Sequence, residues 1–369
     1  MPAIQYRTMT ESFPYPILTK EQLTEQMNDL AALRIPFLFI INYKADAGYV
    51  IRQDELNPDY IQFQFEYKQS YSFTRNTEHE TRNTKRGTRN DENGTRNTEH
   101  GTSNTERKTL LWNTYPLSLS DYKPKFEYVL SQIHSGNSFL VNLTQPTKVH
   151  SSLTLFEIYQ QSTANYKLWI KDSMLVLSPE TFVRIEGSVI SSFPMKGTID
   201  AGIPDAQEIL LNDPKEMAEH ATIVDLIRND LSQVATTVEV KRYRYIEKIK
   251  TNKQDLLQVS SEITGVLTDK SREHLGDIIF ALLPAGSISG APKTKTLEII
   301  QLAEGYERGF YAGVCGYFDG KNLDSGVMIR YLEQESDGLT FKSGGGITAQ
   351  SDLVKEYEEL IQKVYVPVY

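Results

Sequence analysis

Hydrophobic spacing along the chain sets out a mixture of helices and strands. An amphipathic pattern from Thr19 to Leu33 predicts a helix, and apolar runs at Ile35 to Asn42 and Tyr60 to Tyr67 predict strands. Another strand is expected at Leu110-Leu111-Trp112. Alternation through Phe182-Val183-Arg184-Ile185-Glu186-Gly187-Ser188-Val189-Ile190 predicts a β-hairpin turning at Glu186-Gly187. A helix begins at Pro214: Asp213 can cap it, Pro suits its first position, and Glu216 stands three residues after the cap as in a capping box. Val327-Met328-Ile329 reads as an apolar strand ended by Arg330. In the last helix Leu353, Tyr357, Leu360 and Val364 form an apolar stripe, with Glu356, Glu359 and Lys363 along its border.

Between Phe73 and the strand at Leu110 the pattern changes character. Thr74-Arg75-Asn76 recurs in heptad register as Thr81-Arg82-Asn83, Thr88-Arg89-Asn90, Thr95-Arg96-Asn97 and Thr102-Ser103-Asn104. A coiled coil needs two apolar positions per heptad, and residues 74 to 108 contain no aliphatic or aromatic side chain. Without apolar burial to offset the entropy of ordering, this insertion is expected to be a flexible loop. His79 and His100 with their acidic neighbours lack anything to fix a metal geometry, so solvated low complexity is the better account.

Length and composition bound the rest. A chain of 369 residues that is 39% hydrophobic can bury a large core without a disulfide or metal. The single cysteine, Cys315, lies between Val314 and Gly316 in an apolar run, which favours a core position and a reducing compartment. The first residues lack a signal-peptide core and no apolar run could span a bilayer, so a soluble cytoplasmic protein is expected. A net charge of −9 offers no basic field for nucleic acid.

Candidate chemistry centres on Lys196 in Ser192-Phe193-Pro194-Met195-Lys196-Gly197-Thr198, placed where a strand ends against Pro and Gly. Glu180 stands just before the hairpin; an amine and a carboxyl brought together there serve either as nucleophile and acid or as an ordinary cross-strand ion pair. Glu219 shares a helix face with Ile223 and Leu226, so its carboxylate needs a cation, an Arg or a proton. Glu216 reads as the capping-box residue, and Glu359 with Lys363 as a solvated i,i+4 pair. Arg330 offers a planar fork to a carboxylate or joins a structural ion pair. Gly344-Gly345-Gly346 either brings backbone N–H groups to an anion or makes a turn.

Five blocks follow in order: Asp225-Leu226-Ile227-Arg228-Asn229-Asp230-Leu231, Gly286-Ser287-Ile288-Ser289-Gly290-Ala291-Pro292-Lys293, Arg308-Gly309-Phe310-Tyr311-Ala312-Gly313, Ile329-Arg330 and Gly344-Gly345-Gly346-Ile347-Thr348-Ala349. Together they resemble the chorismate-utilising enzymes over residues 110 to 365, and with Lys196 they are most similar to the aminodeoxychorismate synthase component I group. Anthranilate synthases of this superfamily typically carry Ala at the lysine position. Local patterns alone support a mixed α and β protein. The resemblance implies an α+β fold of two face-packed β-sheets flanked by helices, with the active site in the cleft between them, and one domain over residues 1 to 369 whose first 73 residues are less recognisable.

For the site, the resemblance implies Mg²⁺ held by Glu219 and Glu356 with Glu216 and Glu359 nearby. Lys363 is then a cation near the substrate, and Tyr311 and Arg330 contact a substrate carboxylate. Gly344, Gly345 and Gly346 supply N–H donors, and Gly197 and Thr198 line the pocket. Lys196 adds covalently to chorismate while Glu180, kept protonated by a raised pKa, protonates the departing hydroxyl. The product is 4-amino-4-deoxychorismate, a folate precursor from which a separate aminodeoxychorismate lyase removes pyruvate. The chain lacks a cysteine in a nucleophile setting, so ammonia is expected from a separate glutamine amidotransferase subunit.

Three positions depart from the family pattern. Leu140 stands where Gln, or Lys in water-adding members, is common; this argues against isochorismate synthase. Gln258 stands in place of a His near the leaving group, and Ala164-Asn165-Tyr166-Lys167 replaces the Asn-Pro segment of tryptophan-regulated members, which makes feedback by tryptophan doubtful. Anthranilate synthase and a non-catalytic chorismate-binding homologue are the competing readings.

Overall fold

Several strands are buried at every position, among them Phe37–Ile41, Tyr166–Ile170, Met174–Ser178 and Val314–Phe318. Such strands must be covered on both faces. A computed structural model describes residues 13–66, 70–73, 109–249, 255–268 and 273–368 and shows how that is done. The insertion at 74–108, with His79 and His100, lies outside the described residues.

Two antiparallel sheets form. The first runs Leu18–Thr19, Ala47–Arg52, Phe37–Ile41, Val314–Phe318, Leu323–Val327, Thr181–Glu186, Val189–Ser192, Leu256–Val266 and Met195–Asp200, with Thr236–Ile249 also on Leu256–Val266. In the second the order is Gly290–Ala291, Leu140–Ser151, Gly338–Ile347, Tyr331–Glu335, Met174–Ser178, Tyr166–Ile170, Ile61–Glu66 and Ser70–Phe73, with Trp112–Tyr115 also on Leu140–Ser151. Their inner faces share one core. Phe63 of the second sheet meets Tyr317 of the first at 5.2 Å between ring centroids. The Tyr166 hydroxyl donates to Asp324 Oδ1 at 2.8 Å, and its ring lies so close to Gly326 that a Cβ there would be 2.7 Å away.

Helices cover the outside. Lys20–Ala32 buries Leu23, Met27 and Leu30 and packs against Leu275–Leu282. Its cap is reciprocal: Thr19 accepts from Gln22 N, and Gln22 reaches back to the Thr19 backbone N–H. Leu155–Gln161 joins Leu175, Leu177, Leu332 and Phe341 on the outer face of the second sheet. Leu119–His134, Lys293–Glu304 and Leu353–Gln362 cluster over Val141, Leu143 and Ile347. The expected α+β architecture of two face-packed sheets is therefore present. Cys315 is in the core, where burial pushes its thiol up.

Two expected strands shift. The one placed at Leu110 begins at Trp112. The one placed at Val327-Met328-Ile329 ends at Val327, because the chain there leaves the first sheet for the second, and Arg330 takes a left-handed φ of 51° in the crossing. A second crossing, Pro179-Glu180, carries the chain the other way, from Met174–Ser178 into Thr181–Glu186. Backbone bonds tie the two together: Val327 N–H donates to Glu180 O at 3.1 Å and Leu177 N–H to Arg330 O at 3.2 Å.

Behind these crossings lies a buried ion pair. Arg308 donates to Glu304 through Nε at 2.9 Å and Nη2 at 2.6 Å, to Ile288 O at 3.0 Å and to Asn142 O at 2.7 Å. Glu304 Oε1 also accepts from the Thr144 backbone and hydroxyl, each at 2.8 Å. Both side chains are about 1% exposed, so an unpaired partner would be a bare charge in the interior. Glu304→Gln is expected to cost about 3–5 kcal/mol in urea unfolding. A loss no larger than that of Thr144→Val, about 1 kcal/mol, would show that the pair does not anchor this region.

Candidate active site

Lys196 is the second residue of the strand Met195–Asp200, rather than the end of a strand as the pattern suggested. Pairing with Leu256–Val266 slips between Lys196 and Thr198, because Gly197 adopts a φ of 74° that glycine reaches at little cost. A Cβ at Gly197 would stand 2.9 Å from Glu216 Oε2 and 3.0 Å from Leu210 Cδ1, so both side chains lie close over this glycine. The Lys196 ammonium lies 3.5 Å from Glu219 Oε2. Thr198 follows the slip, exposed and opposite Gln258 in the ladder.

Carboxylates come from two helices. On Pro214–Leu231, Asp213 caps by accepting from Glu216 N at 2.9 Å. Only that half of the expected box forms, because the Glu216 carboxyl points at Gly197 instead. Burial and the neighbouring Glu219 push the Glu216 carboxyl up, against the pull of Lys196 and Lys215. On Leu353–Gln362, Glu356 is buried and its Oε1 accepts from Ser351 Oγ at 2.7 Å. Burial, reinforced by Glu359 and Glu219, raises the Glu356 carboxyl despite that bond and the charge of Lys215. Glu359 pairs with Lys363 at 2.6 Å, as the i,i+4 spacing suggested, but the lysine end of the pair is largely buried rather than solvated. Lys363 also donates to Gly344 O at 3.0 Å, and burial lowers its ammonium in spite of Glu359.

The two sheet crossings bring Glu180 and Arg330 to the same place. Ser287 Oγ donates to Glu180 Oε1 at 2.5 Å. Burial outweighs this bond and the charges of Lys196, Arg330 and Lys363, and pushes the Glu180 carboxyl above its ordinary range. Arg330 Nε is buried without a hydrogen-bond partner, and its guanidinium faces the Tyr365 ring at 5.0 Å instead of a carboxylate. Among the described residues Arg330 makes no ion pair. Tyr311 is buried beside these charges, and burial raises its hydroxyl.

The three glycines lie within the strand Gly338–Ile347, opposite Thr144, Leu143 and Asn142, and form no turn. What they provide is room. A Cβ at Gly345 would face Glu356 Oε2 at 3.4 Å and Lys363 Nζ at 3.9 Å, and one at Gly346 would face Leu140 Cδ1 at 2.9 Å and Lys196 Nζ at 3.5 Å. Leu140 therefore forms an apolar wall beside the lysine.

Several residues of the site had no role assigned from sequence. Lys215 lies 3.6 Å from Glu219 Oε1 and 3.8 Å from Glu356 Oε1; its i,i+4 spacing to Glu219 was the available signal. His220 bonds Ser261 Oγ at 2.7 Å, and Ser261 N–H donates to Pro194 O at 3.0 Å, which ties the glutamate helix to the approach to Lys196. Burial, with Arg244 and Lys196 nearby, lowers the His220 imidazole to about 4. Asp230 and Lys293, from two of the quoted blocks, form a salt bridge at 2.8 Å that pins the segment carrying Ser287.

Among the described residues no three acidic, imidazole or thiol side chains form a ready metal cage. The donor set nevertheless fits a hard dication that keeps waters: Glu219 Oε1 is buried without a hydrogen-bond partner, and Glu219 and Glu356 share one ammonium between them. Together the arrangement provides an amine, a raised carboxyl, a guanidinium whose Nε has no hydrogen-bond partner, and a carboxylate cluster.

Comparison with known proteins bears on the chain as a whole. The family described as chorismate binding enzyme matches residues 11–368. An uncharacterized PabA-like protein of Haemophilus influenzae is 52% identical over 254 residues, 69% of this chain and 77% of that protein. Aminodeoxychorismate synthase component 1 of Escherichia coli is 33% identical over 267 residues, 67% of this chain but 57% of that protein, so the chain spans just over half its length. Among solved structures, the menaquinone-specific isochorismate synthase of Escherichia coli shares the fold with a TM-score of 0.65 at 16% identity, covering 94% of this chain and 82% of that one.

A carboxyl raised above 4.5 in the folded protein contributes stability that is intact below that value and lost as pH rises through the raised one. Glu180→Gln, able to keep a contact with Ser287, should therefore melt higher than wild type at about pH 8 and gain little at about pH 4. An equal difference at both values would mean that ionisation of Glu180 plays no part.

Proposed function

The chain belongs to the chorismate binding enzyme family, and on that premise we propose that it converts chorismate and ammonia to 4-amino-4-deoxychorismate. The observation that carries this reading is the Lys196 amine beside Gly346 and Glu219, within the field of the raised carboxyl of Glu180. Chorismate is a dicarboxylate; Arg330, with its free Nε, and Tyr311 bind one carboxylate. Gly197, Thr198 and the N–H groups of Gly344 to Gly346 complete the binding surface, and Lys363 adds a cation. Mg²⁺ held by Glu219 and Glu356, with Glu216 and Glu359 close by, would supply positive charge that neutralises and orients the ring carboxylate.

The Lys196 amine, having released its proton, adds at C2 of the ring. The double bond shifts, the C4–O bond breaks, and Glu180 delivers its proton so that the hydroxyl leaves as water. Ammonia then forms a bond at C4, the double bond returns, and the bond from C2 to Lys196 breaks, with the departing amine taking up the proton that ammonia gives up. Leu140 places a methyl group where a polar side chain could activate water, which favours amines as nucleophiles. We assign the ammonia to a separate glutamine amidotransferase subunit and the removal of pyruvate to a downstream lyase on a folate route. No helix among the described residues is long and apolar enough to cross a membrane, and the lone buried Cys315 suits a reducing cytoplasm.

The test is incubation of the purified protein with chorismate, Mg²⁺ and ammonium, with and without an aminodeoxychorismate lyase, and identification of products by mass. Lyase-dependent 4-aminobenzoate is expected, with Lys196→Ala lowering its formation by at least about a hundredfold. Lyase-independent anthranilate would replace this reading with anthranilate synthase. Tight binding of chorismate without turnover, even with an amidotransferase subunit present, would leave a binding protein.

A further inference from the structure

Lys215 has no part in the reaction above, yet it stands at the centre of the carboxylate cluster. It is the second residue of the helix Pro214–Leu231, and its side chain is 42% exposed. From there the ammonium reaches 3.6 Å from Glu219 Oε1 on its own helix and 3.8 Å from Glu356 Oε1 on the C-terminal helix. Both distances exceed a hydrogen bond, so the lysine acts through charge. Glu219 and Glu356 are 12% and 3% exposed, and the ammonium is their common cation. Partial burial pulls the Lys215 ammonium down, but Glu219, Glu356, Glu216 and Glu359 together raise it.

Resting on the assignment of Glu219 and Glu356 as the Mg²⁺ ligands, we propose that Lys215 is a tethered counter-ion that holds the two carboxylate helices together in the metal-free protein and is expelled when Mg²⁺ enters. Two negative side chains on separate helices repel each other unless a cation lies between them, and a dication arriving there meets a like charge already in place. A flexible four-carbon stem with a half-exposed head can swing into solvent, which a buried arginine could not do. Lys196, on the opposite oxygen of Glu219, keeps its place because it is held by a strand. The device makes metal entry an exchange of cations. It also keeps the cluster from collapsing or splaying when Mg²⁺ is absent.

The experiment measures Mg²⁺ binding to the full chain by calorimetry without substrate, together with metal-free melting temperatures, for wild type, Lys215→Met and Lys215→Arg. Removing one unit charge about 4 Å from the ligands should tighten Mg²⁺ binding about tenfold in Lys215→Met. That variant should also melt below wild type without metal, and saturating Mg²⁺ should close the gap. Lys215→Arg, which keeps the charge, should bind Mg²⁺ no more tightly than wild type. Equal Mg²⁺ affinity in all three proteins would overturn the proposal alone. Absence of Mg²⁺ binding in all three would overturn the metal assignment as well.

Discussion

The buried pair of Glu304 and Arg308 is the interaction on which the site's geometry depends. Arg308 spends its donors on Glu304, Ile288 O and Asn142 O, and Glu304 takes up the Thr144 N–H and hydroxyl. Through these bonds one guanidinium fixes three segments: the end of Lys293–Glu304, the turn that carries Ser287, and the strand opposite the glycines. Ser287 holds Glu180, and Asn142 lies across from Gly346, so both the acid and the wall facing Lys196 are referred to the same buried charge. An apolar pair of similar volume could be as stable. It could not supply directional bonds to three backbones at once.

Around this anchor the charges are sorted by the kind of element that carries them. Glu180 and Arg330 sit on chain crossings between the sheets, where neighbouring backbones bond to each other. Lys196 sits on a strand beside a bulge, which re-aims a side chain at the cost of one slip in the ladder. The four glutamates sit on two helices. Groups that would touch reacting atoms thus come from the sheets and their crossings, and groups that would hold a metal come from helices.

Much of this was legible in the residues, and the failures have physical causes. The hairpin at Glu186-Gly187 and the helix after Asp213 follow from local spacing and capping and formed as expected, and so did the apolar stripe of the last helix through Leu353, Tyr357 and Leu360, whereas Val364 falls past the end of that helix and packs in another cluster. The family likeness placed the two sheets and was shown by comparison over most of the chain. Strand ends were misplaced where the cause was not local. Val327 ends its strand because the chain changes sheets, and the glycines extend through a strand because Leu140–Ser151 pairs with them from 200 or more positions away in sequence. Lys215, Ser287 and His220 escaped assignment because their partners come from other elements: Glu356, Glu180 and Ser261. Periodicity reports the face a residue takes, and these contacts depend on which elements meet.

The sheet order also sets a span for the heptad segment. Ser70–Phe73 is the last strand at one edge of the second sheet, and Trp112–Tyr115 pairs with Leu140–Ser151 near the other. Seven strand-to-strand steps separate them, or about 34 Å at roughly 4.8 Å per step. An extended chain advances about 3.4 Å per residue, so roughly ten residues would bridge that width. The chain supplies residues 74 to 111. Each flanking strand is held by a partner of its own, Ile61–Glu66 for Ser70–Phe73 and Leu140–Ser151 for Trp112–Tyr115, so the two ends between which the repeat must run are set by the sheet and not by the repeat.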